Sequence, residues 1–480
     1  MSKKISRREF LKKSAVSLAA ISIPNVSLPG FAFAAEDGPR AMVVVQLTGG
    51  MDPFLAFPYT SDVSQLRGNA ARINPNLITK VIQSGTATSP GLGIHPGLSD
   101  LEPYFSTMKV IMQTGNAYSR APDRSHEIAQ LYMSTGGYGD HDRRVGWTAR
   151  LFDQGFSLRG FNGVTASYNC ETCKLPPIVT TNYEELNIGN TPMQLNGITN
   201  DMAIRNSKHV EKVLENLSGY KPRSASDGPN SDPIGMTPSR QIGTVEEYYR
   251  KSQRNMFHAL DAIAGRNGIV GTLSPIYRTS RYSAYEVIPP QIPSYYNIAH
   301  KQLALQFRNI AQTLKEMKAK NDNSRIIFVL QLDGFDLHDN WITRGDTLMY
   351  SLGKSLKIFL DDLKDPAQNL YDSTAVFFCT EFGRTILAST GGAGTDHGIG
   401  YPSFVIGGKV NGGVHGPVYN VQDLNLFART KGNAWPREVA QERIIAEILS
   451  THLKIDPRLA FPGDFLDNIP QASGLNLFRA

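Results

Sequence analysis

Cysteine is nearly absent from this chain of 480 residues, which has three. Cys170 and Cys173 form a C-x-x-C, and Cys379 lies inside an apolar run. A thioredoxin-like pair opens a helix after a strand, whereas here Pro176 and Pro177 follow almost at once. The pair therefore reads as a local structural disulfide in a loop. A redox protein built on it would require a reversible dithiol. Cys379 reads as a small core residue. Long apolar runs are also missing. Beyond residue 34 none approaches the ~20 residues of a membrane span, so no span is expected in the mature chain.

Charge of one sign is lacking as well, once the first residues are set apart. Lys3, Lys4, Arg7, Arg8, Lys12 and Lys13 against Glu9 give +5 of the total +6, which leaves the remainder near +1. No basic face stands out, which excludes a nucleic-acid reading. Three nucleotide and hydrolase signatures are absent: the phosphate loop G-x-x-x-x-G-K-[ST], a G-x-G-x-x-G after a strand, and the G-x-S-x-G elbow. No internal repeat is visible.

What is present begins with an address. Ser6-Arg7-Arg8-Glu9-Phe10-Leu11-Lys12 has the twin-arginine pattern, followed by the apolar stretch 14–23 and the small-x-small site Ala32-Phe33-Ala34. Residues 1–34 are expected to be a signal peptide read by the twin-arginine translocase. The mature protein is then expected in the periplasm or secreted. Residues 35–480 are expected to form one α/β domain, a doubly wound, mostly parallel sheet flanked by helices. Strands are expected at 41–47, 109–113, 325–332, 375–380 and 403–406. Helices are expected at 96–105, 125–133, 147–154, 296–320, 347–363 and 438–452. The stretch 155–295 is less regular and reads as an insertion or cap, with a short strand at 164–168, helical patterns at 199–217 and 244–264, and a Ser/Pro/Gly-rich loop at 218–240.

Three short motifs gather near the C-terminal end: Asp336-Leu337-His338, Glu381-Phe382-Gly383-Arg384 and Asp396-His397. The first two follow apolar runs, 325–332 and 374–380. Asp52 follows another, 41–47, through Gly49-Gly50. Open α/β sheets display functional side chains at the carboxyl ends of such strands. Carboxylates and imidazoles gathered there suit a divalent metal such as zinc, manganese or calcium.

Each residue also has a plainer role open to it. Asp336 and His338, two apart in extended chain, can reach one metal, or His338 can cap the next helix. Asp333 competes with Asp336, and Gly334 allows the turn between them. Glu381 either binds the metal or is neutralised by Arg384, which could instead hold an anionic substrate. Of Asp396 and His397, one is a ligand and the other orients it, with His397 assigned as the ligand. Ser125 stands where a helix should begin, as a plain N-cap or as a nucleophile beside backbone N–H groups. His126 is a ligand or a general acid–base group. His95 reads as a satisfied structural histidine.

Together these motifs resemble a bacterial family, the domain of unknown function 1501 proteins. The resemblance rests on the leader, on 43–52, Ile94-His95-Pro96-Gly97-Leu98, Arg124-Ser125-His126 and Gly146-Trp147, and on the three late motifs in order. The family usually reads Gly-Gly-Asn-Asp-Gly where this chain has Gly49-Gly50-Met51-Asp52-Pro53, and Asp-Thr-His where it has Asp336-Leu337-His338. The resemblance implies an alkaline phosphatase-like core with a divalent metal held by Asp52, Asp336, His338, Glu381, Asp396 and His397. It further implies that Ser125 or a water attacks a phosphate or sulfate ester, with His126 and Arg384 beside it. The substrate would be an anionic small molecule or envelope polymer. The alternative is a catalytically silent member that keeps the fold to bind such a partner.

Overall fold

The structure, a computed structural model, describes residues 39–58, 66, 92–117, 125–136, 147, 178–180, 202–204, 284–285, 287–319, 325–389, 394–461, 465–469 and 474–479. The leader, Arg124, Cys170, Cys173 and the loop at 218–240 lie outside the described residues. So do the strand expected at 164–168 and the helix expected at 244–264. The chain divides into Met1–Asp37 and Gly38–Ala480, and all that follows concerns the second unit.

An apolar run lacking polar alternation is what a strand needs to be covered on both faces. Strand β1 (Arg40–Thr48) is such a run, buried from Ala41 onward. It lies in the middle of a nine-stranded sheet with β2 (Met108–Gly115), β3 (Ile178–Thr180), β4 (Met202–Ile204), β5 (Arg325–Asp333), β6 (Thr374–Cys379), β7 (Tyr401–Gly407), β8 (Gly413–His415) and β9 (Val439–Ala440). The order is β4-β3-β5-β1-β6-β7-β2-β8, with β9 beside β2. Among these strands β7 alone runs against the others.

The side-chain period of two sorts each central strand into two cores. Ala41, Val43, Val45 and Leu47 of β1, Phe328, Leu330 and Leu332 of β5, and Val376 and Phe378 of β6 face one layer. Met42, Val44, Ile327, Val329, Ala375, Phe377 and Cys379 face the other. The first layer is covered by the 3₁₀ segment Pro96–Thr107 and by helices α2 (Asn297–Ala319) and α3 (Trp341–Leu363). The second is covered by α5 (Gln441–Glu447), its continuation Ile448–Leu453 and part of α1 (His126–Thr135). Helix α4 (Val421–Thr430) carries a capping box between Asn420 and Asp423, and a short α6 (Phe465–Asn468) follows. This is the expected α/β arrangement of a mostly parallel sheet between helices. No helix among the described residues is long and apolar enough to cross a membrane.

Several boundaries differ from expectation. Helix α3 begins at Trp341, six residues before the expected start, because Asn340 turns the chain with φ +43° and releases it into the helix. The terminal helix gives way after Glu447 to a wider π turn. Met202–Ile204 is a strand paired with β3, not part of a helix, and β3 pairs with β5. The stretch 155–295 thus contributes two strands to one side of the sheet. Strands β8 and β9 and helix α4 are additions that the sequence pattern did not reveal.

Candidate metal centre

The register of the three central strands decides the site. Thr48 of β1 pairs with Asp333 of β5, and Gln46 pairs with Cys379 of β6, all in parallel. Their carboxyl ends therefore stop side by side, and the segments beginning at Gly49, Gly334 and Thr380 leave together. Beyond the strands, single bridges join Met51 to Gly383 and Arg384 to His397. Because β7 is antiparallel, the loop that leads into it arrives at this same end and brings Asp396 and His397.

Two glycines make the turns possible. Gly334 has φ +108° and lets the chain reverse after β5. Gly49 has φ +117°, and a Cβ there would lie 2.1 Å from the backbone nitrogen of Asp336. No side chain fits between these two segments.

One oxygen is the focus of the site. Asp336 Oδ1 lies 2.9 Å from His338 Nε2, 3.4 Å from His397 Nε2, 3.5 Å from His126 Nε2 and 2.7 Å from Arg384 Nη1. His338 Nε2 and His397 Nε2 are 3.1 Å apart. Two sets of donors could hold a cation, His126 with Asp336 and His397, and His338 with Asp396 and His397. His397 belongs to both. The site opens towards solvent on the side of His338 and Asp336, whose side chains are 46% and 44% exposed. The ring of Phe382 lines it from within, 4.6 Å from His397 and 4.9 Å from His126 between centroids.

Behind the imidazoles are two wholly buried charged groups. Glu381 Oε1 accepts from the Gly49 backbone N–H (2.8 Å) and from Gln130 Nε2 (3.3 Å), and lies 3.0 Å from His126 Nδ1. Its Oε2 lies 2.9 Å from Thr380 Oγ1. Arg384 donates through Nη1 to Asp336 and to the Gly49 carbonyl, through Nη2 to the Thr395 carbonyl, and through Nε to Thr395 Oγ1.

These contacts bias the charges. The hydrogen bond to Glu381 raises the pKa of His126 against the opposing effect of burial, with Asp336 helping. Burial works to raise that of Asp336, but the charge and hydrogen bond of Arg384, with His338 and His126, hold it below the usual carboxylate range. Burial lowers that of Arg384, and its bond to Asp336 supports the cation in return.

The residues singled out from sequence fall into groups. Asp336, His338, His126 and His397 converge. Asp396 joins the outer donor set, and its Oδ1 accepts from the His397 backbone N–H. Arg384 is fully buried, with its donors directed at Asp336, Gly49 and Thr395. Glu381 directs Oε1 at the Gly49 backbone N–H, Gln130 and His126 and joins neither donor set among the described residues. Asp52 is also fully buried. Its Oδ1 accepts from the Phe54 backbone N–H at 2.9 Å, and it joins neither donor set among the described residues. It sits near enough to Arg384 to favour the cation.

Asp333 bonds to Thr48 Oγ1 on β1, which leaves Asp336 as the carboxylate of the site. Ser125 occupies the N-cap position of α1, but its side chain makes no capping bond. His95 is satisfied, bonded to Asp346 at 2.9 Å and accepting from Gly97 N. The pattern did not single out Gln130 or Thr395. Gln130 stands four residues after His126 on one helix face, the signal that could have found it.

Residues 295–434 match the family model described as "Protein of unknown function (DUF1501)". Over that segment the chain is similar to the DUF1501 family. That segment carries Asp336, His338, Glu381, Arg384, Asp396 and His397, while His126 comes to the site from outside it. No curated protein matches the chain. Among solved structures it is similar to a protein in the alkaline phosphatase superfamily from Vibrio parahaemolyticus, with 11% identity over 90% of this chain and 76% of that one and a TM-score of 0.33. It is also similar to the lipoteichoic acid synthase LtaP from Listeria monocytogenes, with 11% identity, 78% and 67% coverage and a TM-score of 0.31. Likenesses this distant leave the site to be judged on its own residues.

Proposed function

We propose that the protein is an exported, metal-dependent hydrolase of phosphate or sulfate esters, of the alkaline phosphatase-like kind. The observation that carries this reading is the convergence of three imidazole nitrogens on one carboxylate oxygen. Such an oxygen has about two lone pairs to offer, and Arg384 already takes one direction. Two Nε2 atoms 3.1 Å apart cannot both carry a proton. The His126 Nε2 atom is buried without a hydrogen-bond partner. A cation among these atoms resolves all three conflicts.

The spacings fit as well. Bonds of 2.0–2.1 Å to zinc in a tetrahedron require donors about 3.3 Å apart, and those found here are 2.9, 3.1, 3.4 and 3.5 Å. His126, Asp336 and His397 would hold an ion, with His338 and Asp396 completing the second donor set around His397. Zinc, manganese and calcium are the candidates, and imidazole-rich donors favour zinc. The ion would supply Lewis-acid polarisation of an ester oxygen.

Ser125 is the nucleophile in this reading. Its hydroxyl is not engaged in capping α1, and the first N–H groups of that ten-residue helix favour an anionic ester beside it. The substrate would be an anionic small molecule or an envelope polymer, met in the periplasm or outside the cell after twin-arginine export. The near-neutral mature chain speaks against nucleic acid.

The test is turnover of p-nitrophenyl phosphate and p-nitrophenyl sulfate by the zinc-, manganese- and calcium-loaded chain, with Ser125→Ala alongside. Turnover in the wild type that falls roughly 10³-fold or more in the variant supports the reading. Equal turnover in both forms would pass the attack to water. A metal-loaded chain that cleaves neither ester would leave the silent binding protein.

A further inference from the structure

Glu381 has no exposure at all, yet nothing in the proposed chemistry uses it. Its surroundings assign it a different task. Oε1 takes the Gly49 backbone N–H, which can only donate, so this oxygen is an acceptor. Facing it at 3.0 Å, His126 Nδ1 must carry a proton. A neutral imidazole protonated at Nδ1 has its lone pair on Nε2, and Nε2 is the buried, unpartnered atom aimed at Asp336. Gln130 closes on the same oxygen from one turn further along α1 and holds the carboxylate in place.

We infer that Glu381 is a positioning residue, not a metal ligand: it fixes the Nδ1–H tautomer of His126 and thereby presents Nε2 to the cation. This rests on the metal-centre reading above. Histidines that bind metals commonly donate their second nitrogen in this way, which sets both ring orientation and basicity. The device also links two parts of the sequence. Gly49 gives its N–H to Glu381 and accepts from Arg384 at its carbonyl, so one residue braces the partner of His126 and the partner of Asp336 together. That both clamps are wholly buried, while the groups they hold are partly exposed, is the arrangement a rigid open site requires.

The experiment has two readouts. The first is the nitrogen NMR signature of His126 in the metal-free full-length chain, for wild type, Glu381→Gln and Glu381→Leu. The expected result is an Nδ1–H tautomer in wild type and Glu381→Gln, since glutamine keeps an acceptor, and its loss in Glu381→Leu. An Nε2–H tautomer in wild type overturns the proposal. The second is zinc chloride affinity by calorimetry, in a cycle with His126→Asn, whose amide keeps a donor for Glu381 but lacks the Nε2 position.

Glu381→Leu should bind zinc about 10–100-fold more weakly. The double variant should be no weaker than His126→Asn alone, because Glu381 acts through that residue. Additive losses would make Glu381 an independent ligand and sink the proposal. If Glu381→Leu does not fold, the wild-type and Glu381→Gln spectra still decide. A wild type that takes up no zinc would refute the metal reading, while the tautomer is judged separately without metal.

Discussion

Two polar clusters in this protein differ in shelter and in composition, and only one of them has the makings of a site. Between α2 and α3, Asp362 is met by Lys315 Nζ at 2.5 Å on one oxygen and by Tyr285 OH at 3.0 Å on the other, with all three residues buried. One negative charge faces one positive charge, and a hydroxyl supplies the remaining donor. At the carboxyl edge of the sheet, one oxygen of Asp336 faces one guanidinium and three imidazole nitrogens, more partners than its lone pairs can serve. The first cluster is closed by the chain itself, and the second is the one for which we propose a bound cation. The presence of charge alone does not distinguish the two. The balance of donors and acceptors does.

The comparison can be broken by removing one member from each side. The largest effect is expected at the edge: Asp336→Ala with His397→Ala should abolish stoichiometric metal, measured by mass spectrometry of the purified chain, while the fold is kept. Retained metal in the double variant would remove these residues from the site. Next is Lys315→Met, which strands the Asp362 carboxylate. Breaking a buried pair from one side costs about 3–5 kcal/mol, to be read from urea denaturation, and metal content should not change. A variant as stable as wild type would show that the inner cluster is not an obligatory pair.

The smallest effect concerns a third buried group at the opposite end of the strands. His452 Nε2 lies 3.1 Å from the Ala41 and Ser373 carbonyls, and burial lowers its pKa from 6.5 to about 4. The folded chain therefore stays neutral here while the unfolded chain takes up a proton below 6.5. Stability should be full above pH 6.5 and fall as the pH drops towards about 4, by about 3 kcal/mol in all. His452→Gln should remove that part of the slope in denaturation measured from pH 7 to 4. An unchanged slope would place the acid sensitivity elsewhere.

Much of the fold was legible because β1, β5 and β6 are continuous apolar runs, and such runs are stable only between two helical layers. The convergence of Asp336, His338 and His397 was legible for a related reason, since carboxylates and imidazoles just past buried strands have few structural uses. Strands β8 and β9 were not, because two or three residues carry no period. The roles of Glu381 and Arg384 were not either. From sequence each is a charged residue beyond the same strand, and whether it faces the cleft or the core depends on neighbours hundreds of positions away.

By itself, then, the sequence determined the layers, the end of the sheet at which chemistry gathers and the residue types found there, because apolar periodicity and side-chain chemistry are local properties. Only the tertiary structure decided which carboxylate faces the imidazoles and which stands behind them. The physical reason is that hydrogen bonds are short and directional. Gly49 reaches Glu381 and Arg384 only when β1 lies beside β6, and that pairing fixes one as the brace of His126 and the other as the brace of Asp336.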